Sequence, residues 1–207
     1  MARSNTRKIQ EFTRAGSVTY SLSNPPYSTK EVTITLPEGS DWTSGLHWHE
    51  THTEYLLIVG GSALVTLDNV TKTFNSSDRI ITIPRYARHE WKRATSGGGP
   101  LIVKEWTDPA DGQKEIFFRN LSSVIQDWVG ASGPKQEWWL NWQLWVCFRS
   151  LDNWPVLLSG KNVPVLGGCF EWTVTHFVFL VATLFGKLLG LKGVYQEYTP
   201  TRNGVTE

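Results

Sequence analysis

The chain has 207 residues, the size of one domain of about 100 to 200 residues with some chain to spare. Lys and Arg number 20 against 19 Asp and Glu, a net charge of +1, and no long basic run occurs, which argues against a surface that binds nucleic acid. Two cysteines, Cys147 and Cys169, are too few for a disulfide-stapled scaffold and read as buried thiols. The first residues are polar and lack the apolar core of a secretion signal, so the expectation is an intracellular protein that is not secreted.

From 17 to 118 the chain reads as short runs rich in β-branched residues, at 17–22, 31–36, 54–59, 62–67, 79–83 and 101–106. Turn formers separate them: Asn24-Pro-Pro, Pro37-Glu-Gly, Gly60-Gly61, Asn75-Ser-Ser-Asp and Gly97-Gly-Gly-Pro. This spacing predicts an all-β sandwich or barrel, and the lack of a βαβ rhythm excludes a doubly wound parallel sheet. After about residue 120 longer apolar runs take over, at 138–148 and 170–191, and both read as helices. The segment 153–168 between them carries Pro155, Pro164 and a Gly-Gly pair, so a hydrophobic helical hairpin is expected. The predicted division is therefore a barrel over 1–120 and a helical extension over 121–207. The second run reaches the roughly 20 residues needed to cross a bilayer only if Glu171, His176 and Lys187 are tolerated. On a helix, Thr173, His176, Leu180, Thr183 and Lys187 share a more polar face that could turn inward, and Glu171 with His176 reads as an interior pair. Trp138, Trp142 and Trp145 repeat at helical spacing, as tryptophan does at membrane interfaces. Two readings stand: the helices cap the barrel, or 138–148 and 170–191 touch a membrane.

The stretch Gly45-Leu-His47-Trp-His49-Glu-Thr-His52-Thr-Glu54, followed downstream by Pro84-Arg-Tyr-Ala-Arg-His89-Glu-Trp91, carries the chemistry. Side chains alternate faces along a strand, so His47 and His49 point the same way. If the strands close into a barrel, Glu54 and His89 can converge on them. Three neutral imidazoles and a carboxylate suit Fe, Mn, Ni, Cu or Zn and leave coordination positions open.

These residues resemble the two metal-binding motifs of the cupin superfamily, a double-stranded β-helix barrel: His47-x-His49-x4-Glu54-x6-Gly61 and Pro84-x4-His89. The resemblance implies His47, His49, Glu54 and His89 as the ligands of one divalent transition metal. Fe(II) is the favoured ion, with Zn, Mn, Ni and Cu as alternatives. The second motif departs from the pattern, with Tyr86 where a glycine is usual, Asp78 at the opening glycine and Arg93 at the terminal asparagine. The chain is also similar to small stand-alone cupins of filamentous fungi with hydrophobic C-terminal segments, several of which sit in secondary-metabolite pathways. A homodimer is a further state this resemblance makes available.

Around the motif, His52 is a candidate catalytic acid or base. Trp91 and Arg93 share strand parity with His89 and are candidate substrate contacts, the indole as an apolar wall and the guanidinium as a clamp for a carboxylate or enolate. Tyr86, in the turn before His89, is a third. The expected function is a metal-dependent enzyme on a hydrophobic small molecule, aromatic or polyketide-like, with non-haem oxygenase chemistry slightly favoured. Redox-neutral isomerisation or cyclisation, with or without a metal, is one alternative. A non-enzymatic binding barrel attached to a membrane is another.

Overall fold

The computed structural model describes residues 3–22, 31–128, 134–158 and 167–200, the side chains of 134–136 excepted. The turn at Asn24 and the linker residues 159–166 lie outside the described residues. In chain order the strands are β1 Glu11–Arg14, β2 Val18–Ser21, β3 Val32–Leu36, β4 His47–Trp48, β5 Thr53–Gly60, β6 Ser62–Leu67, β7 Val70–Asn75, β8 Ile81–Ile83, β9 His89–Arg93, β10 Leu101–Asp108 and β11 Trp154–Pro155. Three helices follow the barrel strands, α1 Gln113–Trp128, α2 Pro134–Ser150 and α3 Gly167–Leu188, with β11 between the last two.

Two antiparallel sheets face each other, one ordered β1-β2-β3-β10-β5-β8 and the other β11-β4-β9-β6-β7. Period-two burial drives the pairing. In β10, Leu101, Val103, Glu105 and Thr107 are buried while Ile102, Lys104 and Trp106 are less so. Val32, Ile34 and Leu36 of β3, Leu56 and Ile58 of β5, Ala63 and Val65 of β6 and Trp91 of β9 fill the space between the sheets. The jelly-roll expectation is met. Gly61, which ends the first motif, makes the corner from β5 to β6 at φ +77°, and a Cβ there would stand 2.8 Å from the Pro100 carbonyl oxygen. Both constraints select glycine.

The helical part differs from a simple hairpin. α1 begins at Gln113, inside the range read as barrel, where an Asp111 carboxylate oxygen accepts the Gln113 N–H at 2.9 Å as an N-terminal cap. It lays Phe118 into the barrel core against Tyr20, ring centroids 4.7 Å apart. The linker after α2 does more than turn: Trp154 and Pro155 pair with Trp48 and His47 and extend the second sheet. Of the tryptophan stripe, Trp142 donates Nε1–H to the Ala182 carbonyl at 3.0 Å and Trp145 stacks on Phe179, so those two form the α2–α3 seam, while Trp138 stays exposed.

The inward face of α3 is Glu171, Thr175, Phe179, Ala182 and Gly186. Thr173, Leu180 and Lys187 are exposed instead. Three contacts set this rotation. A Cβ on Gly186 would meet Val146 at 2.9 Å, so the helices approach closest there. Glu171 pairs with Arg88 of the barrel at 2.9 Å, and His176 with Glu50 at 2.8 Å, so each makes its contact with the barrel where an intrahelical pair was expected. Cys147 is buried and Cys169 exposed, both as free thiols.

Tyr86 occupies the turn before β9 at φ +65°, the left-handed conformation that costs a residue with a Cβ about 1 kcal/mol or more, and its side chain is 60% exposed. The loop thus keeps its shape without the usual glycine. Tyr86→Gly is expected to stabilise the fold by up to about 1 kcal/mol, whereas Gly61→Ala is expected to destabilise it by about 2 kcal/mol; denaturant titration of both variants reads the opposite signs.

Candidate metal centre

The four motif residues meet across the two sheets. His47 opens β4 and lies directly across from His89 of β9. Glu54, on β5 of the other sheet, sits between Ile83 and Thr107. One ligand-capable atom from each of His47, His49, Glu54 and His89 falls within 4.8 Å of all the others, and all four residues are buried.

Hydrogen bonds at the outer ring nitrogens orient the imidazoles. His47 Nδ1 lies 2.7 Å from the Gly45 carbonyl oxygen, His89 Nδ1 lies 3.0 Å from that of Ala87, and His49 Nδ1 contacts that of Asp152. A carbonyl only accepts, so each Nδ1 carries a proton, and each Nε2 faces inward. Burial holds the pKa of His47 well below the ordinary histidine value, with the neighbouring imidazoles acting in the same direction. Burial likewise lowers that of His49 against the opposing pull of Glu54. His49 Nε2 stands 3.0 Å from Glu54 Oε2, and His89 Nε2 stands 3.4 Å from Glu54 Oε1. His89 Nε2 is fully buried with no hydrogen-bond partner. A buried polar atom without a partner costs roughly 1 to 3 kcal/mol, and a cation at the centre removes that cost for the whole cluster. The residues fit a divalent metal, whose opposed ligands at bonds of about 2.1 Å stand about 4.2 Å apart.

The C-terminal extension holds the motif loop from outside. Asp152, at φ +52°, accepts the backbone N–H groups of Glu50 and Thr51, each at 2.9 Å, the Thr51 hydroxyl at 2.6 Å and His52 Nδ1 at 2.9 Å. Burial raises its carboxyl pKa, but these donors outweigh burial and hold it well below the aspartate range. Its own backbone carbonyl is the one that orients His49. Next to it, Glu50 Oε1 receives Trp48 Nε1–H at 3.1 Å, Trp172 Nε1–H at 2.8 Å and His176 at 2.8 Å. The loop that carries the ligands is therefore fastened to α3 on one side and to the α2–β11 turn on the other.

Beside the cluster lies a cavity of about 260 Å³, with His47, Glu105 and Lys114 among aromatic walls that include Trp42, Phe117 and Phe148. The other residues picked from sequence lie elsewhere. His52 spends Nδ1 on Asp152 and sets Nε2 3.3 Å from Asp111, so it clamps the loop and keeps no nitrogen free for a proton transfer to substrate. Trp91 is buried one layer behind the cavity, its ring 4.9 Å from Trp42 and its Nε1–H donated to Glu105 at 2.6 Å. Arg93 donates to the carbonyls of Leu36, Thr95, Gly97 and Gly99 and pins the loop at the barrel end. Tyr86 faces outward, beside Trp48 and Trp172. Strand parity placed Trp91 and Arg93 on the interior face, but not at the end where the ligands lie.

Sequence reasoning missed Lys114 and Glu105. Lys114, near the start of α1, reaches down to Glu54 Oε2 and lies 3.3 Å from Glu105 Oε2. Burial alone would lower its pKa; the two carboxylates more than offset this and keep it an ammonium. Burial raises the pKa of Glu105, opposed by Lys114. Period-two patterning put Glu105 inside the barrel, and that was a usable signal.

Asp152→Ala strips the motif loop of these acceptor contacts. The expected loss is about 3 kcal/mol of stability and tenfold or more in metal affinity, read by denaturant titration and by chelator competition.

No family model matches the chain. It is similar to the oxidoreductase iacF of Pestalotiopsis fici, at 26% identity over 133 residues, 59% of this chain and 65% of that protein, so it spans somewhat less than two thirds of that relative's length. Among solved structures it is similar to the Drosophila melanogaster CENP-C cupin domain, with 13% identity, 52% of this chain and 83% of that chain covered, and a TM-score of 0.39. A mutant of Bacillus subtilis oxalate decarboxylase OxdC gives 20% identity, 46% and 27% coverage and a TM-score of 0.38. The capsular polysaccharide assembling protein CapF from Staphylococcus aureus gives 18%, 47%, 28% and 0.38. Two facing antiparallel sheets bring His47, His49, Glu54 and His89 to one point, so the chain has the double-stranded β-helix fold expected from its cupin-like motifs.

Proposed function

We propose that this protein is a metal-dependent enzyme that transforms a hydrophobic small molecule, with oxidoreductase chemistry at an Fe(II) centre as the favoured reaction. The observation that carries the reading is the convergence of three imidazoles and one carboxylate at the edge of an aromatic-walled cavity of about 260 Å³. Apolar walls with a few fixed polar groups are the usual build of a small-molecule site. A divalent ion supplies Lewis acidity there, and Fe(II) supplies one-electron chemistry as well. The protein's part is to hold that ion through Nε2 of the three histidines and a Glu54 oxygen, to keep the rings in one tautomer through the carbonyls of Gly45, Ala87 and Asp152, and to exclude water with Phe117, Phe148 and Pro155 around His47. The likeness to a fungal oxidoreductase supports the redox reading, and a place in fungal secondary metabolism is part of the same proposal.

The reading extends to where the protein works. α3 is long and apolar enough by length and composition to cross a membrane. Its barrel-facing side is tied down by the Arg88–Glu171 and Glu50–His176 pairs, which a spanning helix would have to give up. The outward side exposes Phe170, Phe177, Leu184 and Leu188, at spacings that share one helix face. This favours a helix lying in the plane of a lipid surface, on which an apolar substrate concentrates.

Two measurements test this. Elemental analysis of purified protein is expected to find close to one transition metal per chain, lost in His49→Ala; iron with oxygen uptake supports the oxidoreductase, zinc without it moves the proposal to redox-neutral isomerisation or cyclisation, and no metal leaves a binding barrel. In flotation with phosphatidylcholine vesicles the wild type is expected to rise with the lipid, and Phe177→Glu with Leu184→Glu to remain in the bottom fraction; equal partition of both contradicts lipid contact.

A further inference from the structure

The polar equipment of the cavity points to the charge of its ligand. Among the described residues, the charged groups at its inner end are Glu54, Glu105 and Lys114, the last two lining the cavity with His47. All three are buried, so their charges are weakly screened. A divalent ion at the four-residue cluster adds two positive charges. The sum with Lys114 as ammonium and Glu54 as carboxylate is +1 if Glu105 is ionised and +2 if it is not. In either form the loaded site keeps uncompensated positive charge next to an apolar chamber, and an uncompensated buried charge is costly until it is paired.

Lys114 is built to supply part of that pairing. An ammonium has three N–H donors. Glu54 Oε2 and Glu105 Oε2 account for two of them, and the side chain borders the cavity beside Phe117 and Phe118. Trp91 fixes Glu105 through the other carboxylate oxygen, so Glu105 in turn fixes the lysine. Arg93, the basic residue that sequence parity suggested for this task, is spent on backbone carbonyls. Lys114 is thus the cationic donor among the residues that line this cavity.

We propose that the substrate carries an anionic oxygen, a carboxylate or an acidic enol or phenol, on a hydrophobic body, and that this oxygen is held by Lys114 Nζ beside the metal. This names a substrate class for the site proposed above and rests on the metal-centre reading. Lys114 then contacts the substrate and selects for its charge, while Glu105 and Trp91 are positioning residues behind it.

The test uses 2-naphthoate and its neutral analogue 2-naphthamide as probes, titrated into full-length protein whose metal content has been counted, with tryptophan fluorescence as the readout. Wild type is expected to bind naphthoate at least tenfold more tightly than naphthamide. A Lys114→Met, Glu105→Gln double variant keeps the total charge of the wild type with Glu105 ionised but lacks the ammonium. It is expected to retain its metal and to prefer naphthoate at least fivefold less than wild type does, the remaining preference being that of the metal's charge. Equal affinity in wild type, or no binding of either probe, overturns the assignment without any variant being folded. A naphthoate preference undiminished in the double variant overturns it as well, by showing that the metal alone selects the charge. Wild type that contains no metal but prefers naphthoate supports the Lys114 contact and refutes the metal reading, so the two failures are separable.

Discussion

The structure turns on the meeting of three imidazoles and one carboxylate at a single buried point. Each imidazole commits its Nδ1 proton outward to a backbone carbonyl and turns Nε2 toward Glu54, inside a barrel where water cannot soften the arrangement. Among the described residues Lys114 adds a cation to the cluster from within, and it reaches one oxygen of Glu54, while His89 Nε2 makes no hydrogen bond. Such a cluster is stable as the inner surface of a cation site and poor as anything else. It also joins the two sheets, since His47 and His89 stand on one and Glu54 on the other, so ion binding and closure of the barrel are the same event in energetic terms.

Seen from that centre, the C-terminal extension completes the metal loop as well as adding an apolar surface. Asp152 collects the free N–H groups of the loop and its carbonyl sets the tautomer of His49. Glu50, the residue next to His49, is held by two indoles and His176, and Trp172 and His176 belong to α3. In the proposed function this helix would meet lipid on its outer face while holding the motif loop on its inner face, linking the place where an apolar substrate accumulates to the place where it reacts. The 59% of the chain that aligns with the fungal oxidoreductase leaves part of this arrangement to be read from the structure alone.

The barrel and the four residues that converge in it were legible in the sequence for a clear reason: alternation with period two and a spaced His-x-His motif are local patterns that burial imposes directly. The glycine at 61 was legible as part of the same motif. What failed was depth along a strand. Trp91 and Arg93 have the parity of His89, but parity fixes a face and not a distance from the ligands, and both lie toward other partners. His52 looked free because Asp152, a hundred residues away, is invisible to any local rule. Lys114 escaped because α1 was not recognised; Asp111 before Gln113, with Phe117, Leu121 and Val124 on a helical repeat, was the signal for it. Even so, nothing local says that a lysine at the start of that helix ends beside Glu54.

The most direct test of the account is X-ray absorption spectroscopy at the edge of whichever metal the protein carries. Three imidazole nitrogens and one carboxylate oxygen at about 2.0 to 2.2 Å, with the outer-ring scattering of three histidines, is the predicted result. A first shell of oxygen alone, or one in which fewer than two imidazoles scatter, would contradict it, and the cavity beside the cluster would then need a different chemistry.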